Sequence, residues 1–119
     1  MGKGILIVDD SLYTRVILRE AFQAKQLKVI GEAKNGVEAI DFVYEHRPEI
    51  ILLDIMLPDM LGLDILKTLK ENGITSKFVM ISSIGNEKTM AEAYACGACG
   101  YWVKPFDPVD LVNFVKGLV

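Results

Sequence analysis

The sequence predicts an α/β domain in which helices cover both faces of a five-stranded parallel sheet. Five short apolar runs alternate strictly with five amphipathic stretches along the 119 residues. A strand of a parallel sheet is buried on both faces, so its sequence is expected to be apolar throughout. Strict alternation of strands and helices is typical of a sheet whose crossover helices pack on its two faces.

The predicted strands share an apolar, largely β-branched or aromatic composition. The first, third and fourth are apolar runs of four residues, and the second and fifth are three residues long. In chain order the predicted strands span residues 5–8, 28–30, 50–53, 78–81 and 101–103.

The first two predicted helices are delimited by capping and turn residues. Ser11 is a candidate N-cap for a first helix over residues 11–26. The turn signal Asn35-Gly36 precedes the second helix. Pro48 ends that helix, because the residue before a proline avoids the helical conformation.

Apolar stripes and end signals define the last three helices. The third carries leucines at positions 63, 66 and 69 and ends at Asn72-Gly73. The fourth spans about residues 87–96, just before Gly97. The fifth is capped by Asp107, has Pro108 at its first position, and presents an apolar stripe toward the sheet.

Composition and length exclude several classes of protein. A chain of 119 residues fits one domain, and 51% hydrophobic residues exclude intrinsic disorder. The net charge of −3 argues against binding to a nucleic-acid backbone, and no apolar run approaches the ~20 residues that span a bilayer. The segment before the first strand is too short for a signal peptide. We expect a single domain over residues 1–119, cytoplasmic and bound to neither nucleic acid nor membrane.

Residues that carry chemistry follow four of the five predicted strands. Asp9 and Asp10 follow the first strand, Asp54 the third, Ser82 the fourth and Lys104 the fifth. Open parallel sheets bind ligands outside the carboxyl ends of their strands. Carboxylates held close together repel one another unless cations intervene. Because Mg²⁺ takes oxygen ligands from one or two carboxylates and keeps several waters, the pattern predicts a magnesium site at this edge.

The motifs at these strand ends resemble those of two-component response regulator receiver domains. They are ILIVDDS at 5–11, LLD at 52–54 with LPDMLG at 57–62, ISS at 81–83 and KPF at 104–106. The resemblance covers the whole chain and is strongest to free-standing CheY-like chemotaxis response regulators. It implies a flavodoxin-like (βα)5 fold with the strand order 2-1-3-4-5, which CheY itself exemplifies.

The resemblance also implies the roles of the residues at the sheet edge. Asp54 would accept a phosphoryl group from a phosphohistidine of a sensor histidine kinase. Lys104 would pair with one phosphoryl oxygen, and Ser82 would donate a hydrogen bond to another. The side chains of Asp10 and Asp54 would bind Mg²⁺ directly.

Two further ligands and a switch complete the implied site. The backbone carbonyl of Met56 would be a third direct ligand of Mg²⁺, and Asp9 would hold the ion largely through water. Ser82 and Tyr101 would form a switch that alters the surface of the fourth helix, fifth strand and fifth helix. The peptide bond between Lys104 and Pro105 is expected to be cis.

On this basis we expect a monomeric signalling protein rather than a turnover enzyme. After phosphorylation it would bind a downstream protein target, such as a flagellar motor switch or a phosphatase, in chemotaxis. Two apolar residues, Met56 and Ile84, stand beside the expected phosphorylation site where many members of the family carry polar side chains. They predict an altered lifetime of the phosphoryl group, because these positions control the access of water.

Three alternatives compete with this interpretation. The chain could be a receiver domain cut from a longer regulator with a DNA-binding or enzymatic output. A haloacid-dehalogenase-type phosphatase also uses an Asp nucleophile with Mg²⁺, but its Asp-x-Asp motif would need an acid at Ser11. A flavodoxin-like FMN binder would need an uncharged phosphate loop where Asp9 and Asp10 stand.

Overall fold

Strands and helices alternate along residues 4–119, the part of the chain that the computed structural model describes. Residues 1–3, which belong to the predicted domain and its short leading segment, lie outside the described residues. The strands β1 to β5 are Ile5–Val8, Val29–Ala33, Ile50–Asp54, Lys77–Ser82 and Gly100–Val103. The helices α1 to α5 are Leu12–Ala24, Gly36–His46, Gly62–Glu71, Glu87–Ala95 and Pro108–Lys116.

The five strands form one parallel sheet in the order β2-β1-β3-β4-β5. This topology confirms the predicted flavodoxin-like fold. The register pairs Val8 with Leu53, Asp54 with Ile81, and Ser82 with Val103. The carboxyl ends of β1, β3, β4 and β5 therefore lie side by side, and the residues that follow them share one edge of the sheet.

Two apolar clusters, one on each face of the sheet, hold the helices in place. One cluster packs inward-facing residues of α2, α3 and α4 against the sheet, and the other packs those of α1 and α5. Neighbouring residues of β1 enter opposite clusters: Leu6 joins the first and Ile7 the second, and neither is exposed. This two-sided burial is the physical reason for the uninterrupted apolar composition of the inner strands.

Two predicted boundaries were wrong by two or more residues. β2 continues to Ala33, three residues beyond its predicted end at residue 30, because pairing with β1 carries the strand past Gly31 and Glu32. A glycine and a charged residue had interrupted the apolar pattern. The first helix ends at Ala24 rather than at residue 26, and Gln26 adopts a left-handed conformation with φ 61°.

No helix within residues 4–119 is both long and apolar enough to cross a membrane.

Gly62 allows the segment after β3 to fold back against the strand. A Cβ atom at this position would lie 2.1 Å from the carbonyl oxygen of Asp54, well inside van der Waals contact. The amide of Gly62 donates a hydrogen bond of 2.6 Å to the carbonyl of Ile55. Only glycine fits this close backbone approach, which sets the path of the loop that leaves Asp54.

We predict that Gly62→Ala destabilises the protein, because the added methyl group must displace the backbone of Asp54 or Ile55. The expected loss in the free energy of unfolding is about 1–3 kcal/mol, the usual cost of overpacking. Urea unfolding measures this loss. The matched control is Gly117→Ala at the end of α5, where φ is −70° and the nearest atom lies at 3.4 Å. Equal stability of the two variants would contradict the account of Gly62.

Candidate functional site

Three aspartates converge at the carboxyl edge of the sheet. Asp9 and Asp10 follow β1, Asp54 ends β3, and carboxylate oxygens of all three lie within 4.8 Å of one another. The side chains of Asp9 and Asp54 are buried, whereas Asp10 is exposed to solvent. The structure thus brings together the acids that the sequence placed at separate strand ends, with the cluster open to solvent on the side of Asp10.

Lys104 supplies a positive charge to this cluster. Its ammonium nitrogen lies 2.7 Å from Oδ2 of Asp9 and 3.2 Å from Oδ2 of Asp54, so it bridges the two buried carboxylates. Its backbone amide donates a hydrogen bond of 2.8 Å to the carbonyl of Ser82, which continues the pairing of β5 with β4. The Lys104–Pro105 peptide bond is cis, as expected.

Backbone amides fix the two buried carboxylates from the other side. Oδ1 of Asp9 accepts a hydrogen bond of 2.8 Å from the amide of Ser11, and Oδ1 of Asp54 accepts one of 3.2 Å from the amide of Met56. Each of these two carboxylates therefore contacts a backbone donor through one oxygen and Lys104 through the other.

Burial and neighbouring charges shift the pKa values of Asp54 and Lys104. Burial raises the pKa of Asp54, and the neighbouring carboxylate of Asp9 raises it further, while Lys104 opposes both effects. Burial lowers the pKa of Lys104, but the hydrogen bond with Asp9 and the charge of Asp54 outweigh it and leave the pKa raised. With all groups charged, three carboxylates face one ammonium group, and the cluster keeps an excess of negative charge.

The donor set of the cluster fits a hard divalent cation. Carboxylate oxygens from three residues lie close enough to share one ion, and the exposed Asp10 leaves room for water ligands. Mg²⁺ is bound by one or two carboxylates with retained water, which matches this arrangement better than the larger oxygen set that Ca²⁺ requires. The backbone carbonyl of Met56, which directly precedes the buried Leu57, was predicted as a further ligand of Mg²⁺. That role stays a prediction.

Ser82 and Tyr101 contact the same residue of the loop between β4 and α4. The hydroxyl of Ser82, which is fully buried, accepts a hydrogen bond of 3.0 Å from the amide of Ile84. The hydroxyl of Tyr101 donates to the carbonyl of Ile84, and its ring is packed inward with 8% exposure. Burial raises the pKa of the Tyr101 hydroxyl. The two residues predicted as a switch are thus joined through Ile84.

The loop after β3 is attached to the start of α2, a contact that the sequence did not reveal. The carboxylate of Asp59 accepts hydrogen bonds of 2.7 Å from the amide of Gly36 and 3.0 Å from that of Val37. These hydrogen bonds, that of Gly36 above all, lower the pKa of Asp59. Asp59 lies within the LPDMLG motif, but nothing in its spacing points to a helix 22 residues earlier in the chain.

A second contact missed by the sequence interpretation supports the turn after β1. Nη1 of Arg15 on α1 donates a hydrogen bond of 2.6 Å to the carbonyl of Asp9, and its Nε pairs with Glu32 on β2 at 3.0 Å. An arginine on the first turn of a helix is ordinary, and Glu32 lies beyond the predicted end of the second strand, so neither residue stands out in the sequence.

Comparisons with known proteins show the family to which the chain is similar. A model of the response regulator receiver domain family matches residues 5–116. A chemotaxis protein CheY of Thermotoga maritima is 37% identical over 113 residues, which cover 95% of this chain and 94% of that protein. The transcriptional regulatory protein SrrA of Staphylococcus aureus is 38% identical over 119 residues, which are all of this chain but 48% of that protein.

A solved structure shares both fold and sequence with the chain. It is the CheX-CheY-BeF3-Mg+2 complex from Borrelia burgdorferi, in which the matching chain is 32% identical and superposes with a TM-score of 0.87. The match covers 96% of this chain and 87% of that chain.

Proposed function

The chain belongs to the response regulator receiver domain family, and we propose that it is the phosphoacceptor of a two-component system. In this proposal Asp54 takes a phosphoryl group from a phosphohistidine of a sensor histidine kinase. The observation that carries the proposal is the placement of Asp54 within hydrogen-bond distance of Lys104 and beside Asp9 and Asp10. No turnover of an external substrate is required, and the protein acts as a signalling component rather than an enzyme.

The chemistry of phosphoryl transfer matches what these residues offer. An oxygen of Asp54 attacks the phosphorus while the phosphorus–nitrogen bond of the donor breaks, and the electron pair of that bond stays on the imidazole. The transition state is loose, so the protein needs chiefly to position groups and to balance charge. The product is an acyl phosphate, a covalent form that water can hydrolyse.

Lys104, Ser82 and the acidic cluster balance the charge of the transferred group. The ammonium group of Lys104, already 3.2 Å from Asp54, pairs with a phosphoryl oxygen, and the hydroxyl of Ser82 donates to another. Asp10, Asp54 and the carbonyl of Met56 would hold Mg²⁺ directly and Asp9 largely through water, and the charge of the ion would offset that of the phosphoryl oxygens. The similar CheY chain from Borrelia burgdorferi forms a complex with BeF3 and Mg+2, which supports the assignment of a magnesium site by analogy.

The switch follows from the contacts of Ile84. Phosphorylation adds nearly two negative charges and three acceptor oxygens beside Ser82. When Ser82 turns its hydroxyl toward them, the hydrogen bond from the amide of Ile84 is lost, and the contact of Tyr101 with Ile84 shifts in population. The surface of α4, β5 and α5 then changes. Exposed apolar side chains on this surface, Tyr94, Val103 and Val109, suit the binding of a protein target.

The process is chemotaxis in this proposal, and the protein is a cytoplasmic monomer. Relatives named as chemotaxis protein CheY, which match over nearly their whole length, support the assignment to chemotaxis. The downstream target is then a flagellar motor switch or a phosphatase. The second candidate is a receiver domain of a longer regulator with a DNA-binding output, which the match to about half of the transcriptional regulatory protein SrrA favours.

We predict that acetyl phosphate with Mg²⁺ adds one phosphoryl group to the protein, and that Asp54→Asn abolishes the addition. The reason is that Asp54 is the carboxylate held beside both Lys104 and the other acids. Intact-mass spectrometry measures the product. Asp41→Asn, an exposed carboxylate on α2, serves as the matched control and is expected to be phosphorylated like the wild type. Phosphorylation of Asp54→Asn to the same level would refute the proposal.

We predict that Met56→Asn shortens the lifetime of the phosphoryl group. Met56 is 53% exposed and its amide contacts Asp54, so an amide side chain there can orient an attacking water that a thioether cannot. We expect the rate of phosphate loss to rise at least about threefold. This is a small part of the rate enhancement that a positioned side chain can give by transferring a proton. A phosphate-release time course checks this, with Val109→Asn, an exposed valine on α5, as control. Equal rates for the wild type and Met56→Asn would rule out the effect.

We predict that Tyr101→Ala uncouples the switch from phosphorylation. The variant keeps all the groups that contact Asp54, so it is expected to be phosphorylated to the wild-type level. Amide hydrogen exchange over α4 and β5 is expected to change on phosphorylation in the wild type but to change far less in the variant. Tyr94→Ala, an exposed tyrosine on α4, is the control. An exchange response of wild-type size in Tyr101→Ala would contradict the role of the ring.

A further inference from the structure

Arg15 joins the turn that carries Asp9 and Asp10 to strand β2. Its Nη1 donates a hydrogen bond of 2.6 Å to the carbonyl of Asp9, and its Nε lies 3.0 Å from Oε1 of Glu32. The side chain of Arg15 is 12% exposed, which is low for an arginine on a helix surface. The guanidinium group therefore spans from β2 to the backbone of the acidic turn.

Glu32 is itself held in place. Its second oxygen, Oε2, accepts a hydrogen bond of 2.6 Å from Nε of Arg19, one turn further along α1. The strand pairing sets Glu32 beside Ile7, two residues before Asp9. One carboxylate thus orients two guanidinium groups, but only that of Arg15 reaches the acidic turn, and that of Arg19 ends at Glu32.

The hydrogen bond to the carbonyl of Asp9 constrains the direction in which Asp10 leaves the strand. The carbonyl of Asp9 and the amide of Asp10 belong to one peptide unit, which is planar. Fixing the carbonyl therefore fixes the plane from which the Cα of Asp10 departs. The side chain of Asp10 is exposed and makes no side-chain hydrogen bond within residues 4–119, so its backbone is what orients it.

We propose that Arg15, held by Glu32, is a positioning residue for magnesium binding, because it sets the backbone from which Asp10 presents its carboxylate. The inference rests on the proposed function, in which Asp10 is a direct ligand. Partners that orient metal ligands from outside the ligand set commonly contribute a factor of about 10 to 100 to metal affinity. The ion pair alone, partly exposed, explains little stability, since such pairs contribute about 0–1 kcal/mol.

The direction in which Mg²⁺ affinity changes when Arg15 loses its charge separates a positioning role from a simple electrostatic one. Arg15 is a cation close to a site that binds a cation, so its charge by itself opposes the binding of Mg²⁺. Removing the charge without any other change would tighten binding. A weaker affinity in a well-folded, charge-removing variant therefore points to the lost constraint on the turn of Asp9 and Asp10.

The experiment measures the dissociation constant of Mg²⁺ by isothermal titration calorimetry on wild type, Arg15→Gln and Arg19→Gln. We expect Arg15→Gln to bind Mg²⁺ about tenfold more weakly or worse, and Arg19→Gln to stay within about twofold of the wild type. Each variant loses one positive charge and one hydrogen bond to Glu32, but only the first also loses the hydrogen bond to the carbonyl of Asp9. Equal or tighter binding by Arg15→Gln would overturn the inference.

A second variant guards against a fold that fails without a positive charge at position 15. Arg15→Lys keeps the charge but has one compact ammonium group that cannot serve Glu32 and the Asp9 carbonyl with the same fork geometry. We expect it to weaken Mg²⁺ binding as well, with a thermal melt in EDTA close to that of the wild type. Binding of wild-type strength in this well-folded variant would count against the positioning role.

Magnesium binding and phosphorylation kinetics together show whether a failure lies in this inference or in the proposed function. With acetyl phosphate as the donor, the Mg²⁺ concentration for half-maximal rate is expected to rise in Arg15→Gln by more than the saturated rate falls. If the wild type binds no Mg²⁺, the proposed function and this inference fail together. If the wild type binds Mg²⁺ and the Arg15 variants bind it equally well, only the positioning role fails.

Discussion

The mutual repulsion of three carboxylates at one edge of the sheet is the constraint on which the rest of the site depends. Carboxylate oxygens of Asp9, Asp10 and Asp54 lie within 4.8 Å of one another. Coulomb repulsion strongly opposes this grouping, because two of the three carboxylates are buried. Lys104 bridges the two buried members and offsets part of the charge. In the proposed function, this remaining negative charge attracts a divalent cation, and the cation in turn favours a phosphoryl group.

The fold keeps these like charges together because the sheet beneath them is rigid. Its inner strands are buried on both faces, and helices pack on each side through separate apolar clusters. The backbone around the acids is then fixed by single contacts: Gly62 lets the loop return against Asp54, and Asp59 attaches that loop to α2. Arg15 does the same for the turn after β1. Such contacts hold carboxylates in positions that they would not adopt by themselves.

Much of this arrangement could be predicted from the sequence because it follows from local patterns. Apolar runs and helix caps give the alternating elements, and parallel strands bring Asp9, Asp54 and Lys104 to one edge. The contacts of Arg15 and Asp59 could not be predicted, because each joins a side chain to backbone or strand positions that no periodicity connects. The end of β2 was missed for a related reason: pairing with β1, a tertiary effect, overrides the weak local signal of Gly31 and Glu32.

The proposed function requires that the phosphoryl group is attached to Asp54 as an acyl phosphate. Borohydride reduces an acyl phosphate to an alcohol with release of phosphate, so reduction of the phosphorylated protein followed by peptide mapping locates the mark. We expect a reduced side chain at Asp54 alone, and only when Mg²⁺ is present during phosphorylation. A reduced side chain at Asp9 or Asp10, or a phosphate that resists borohydride and remains on a serine such as Ser82, would contradict it.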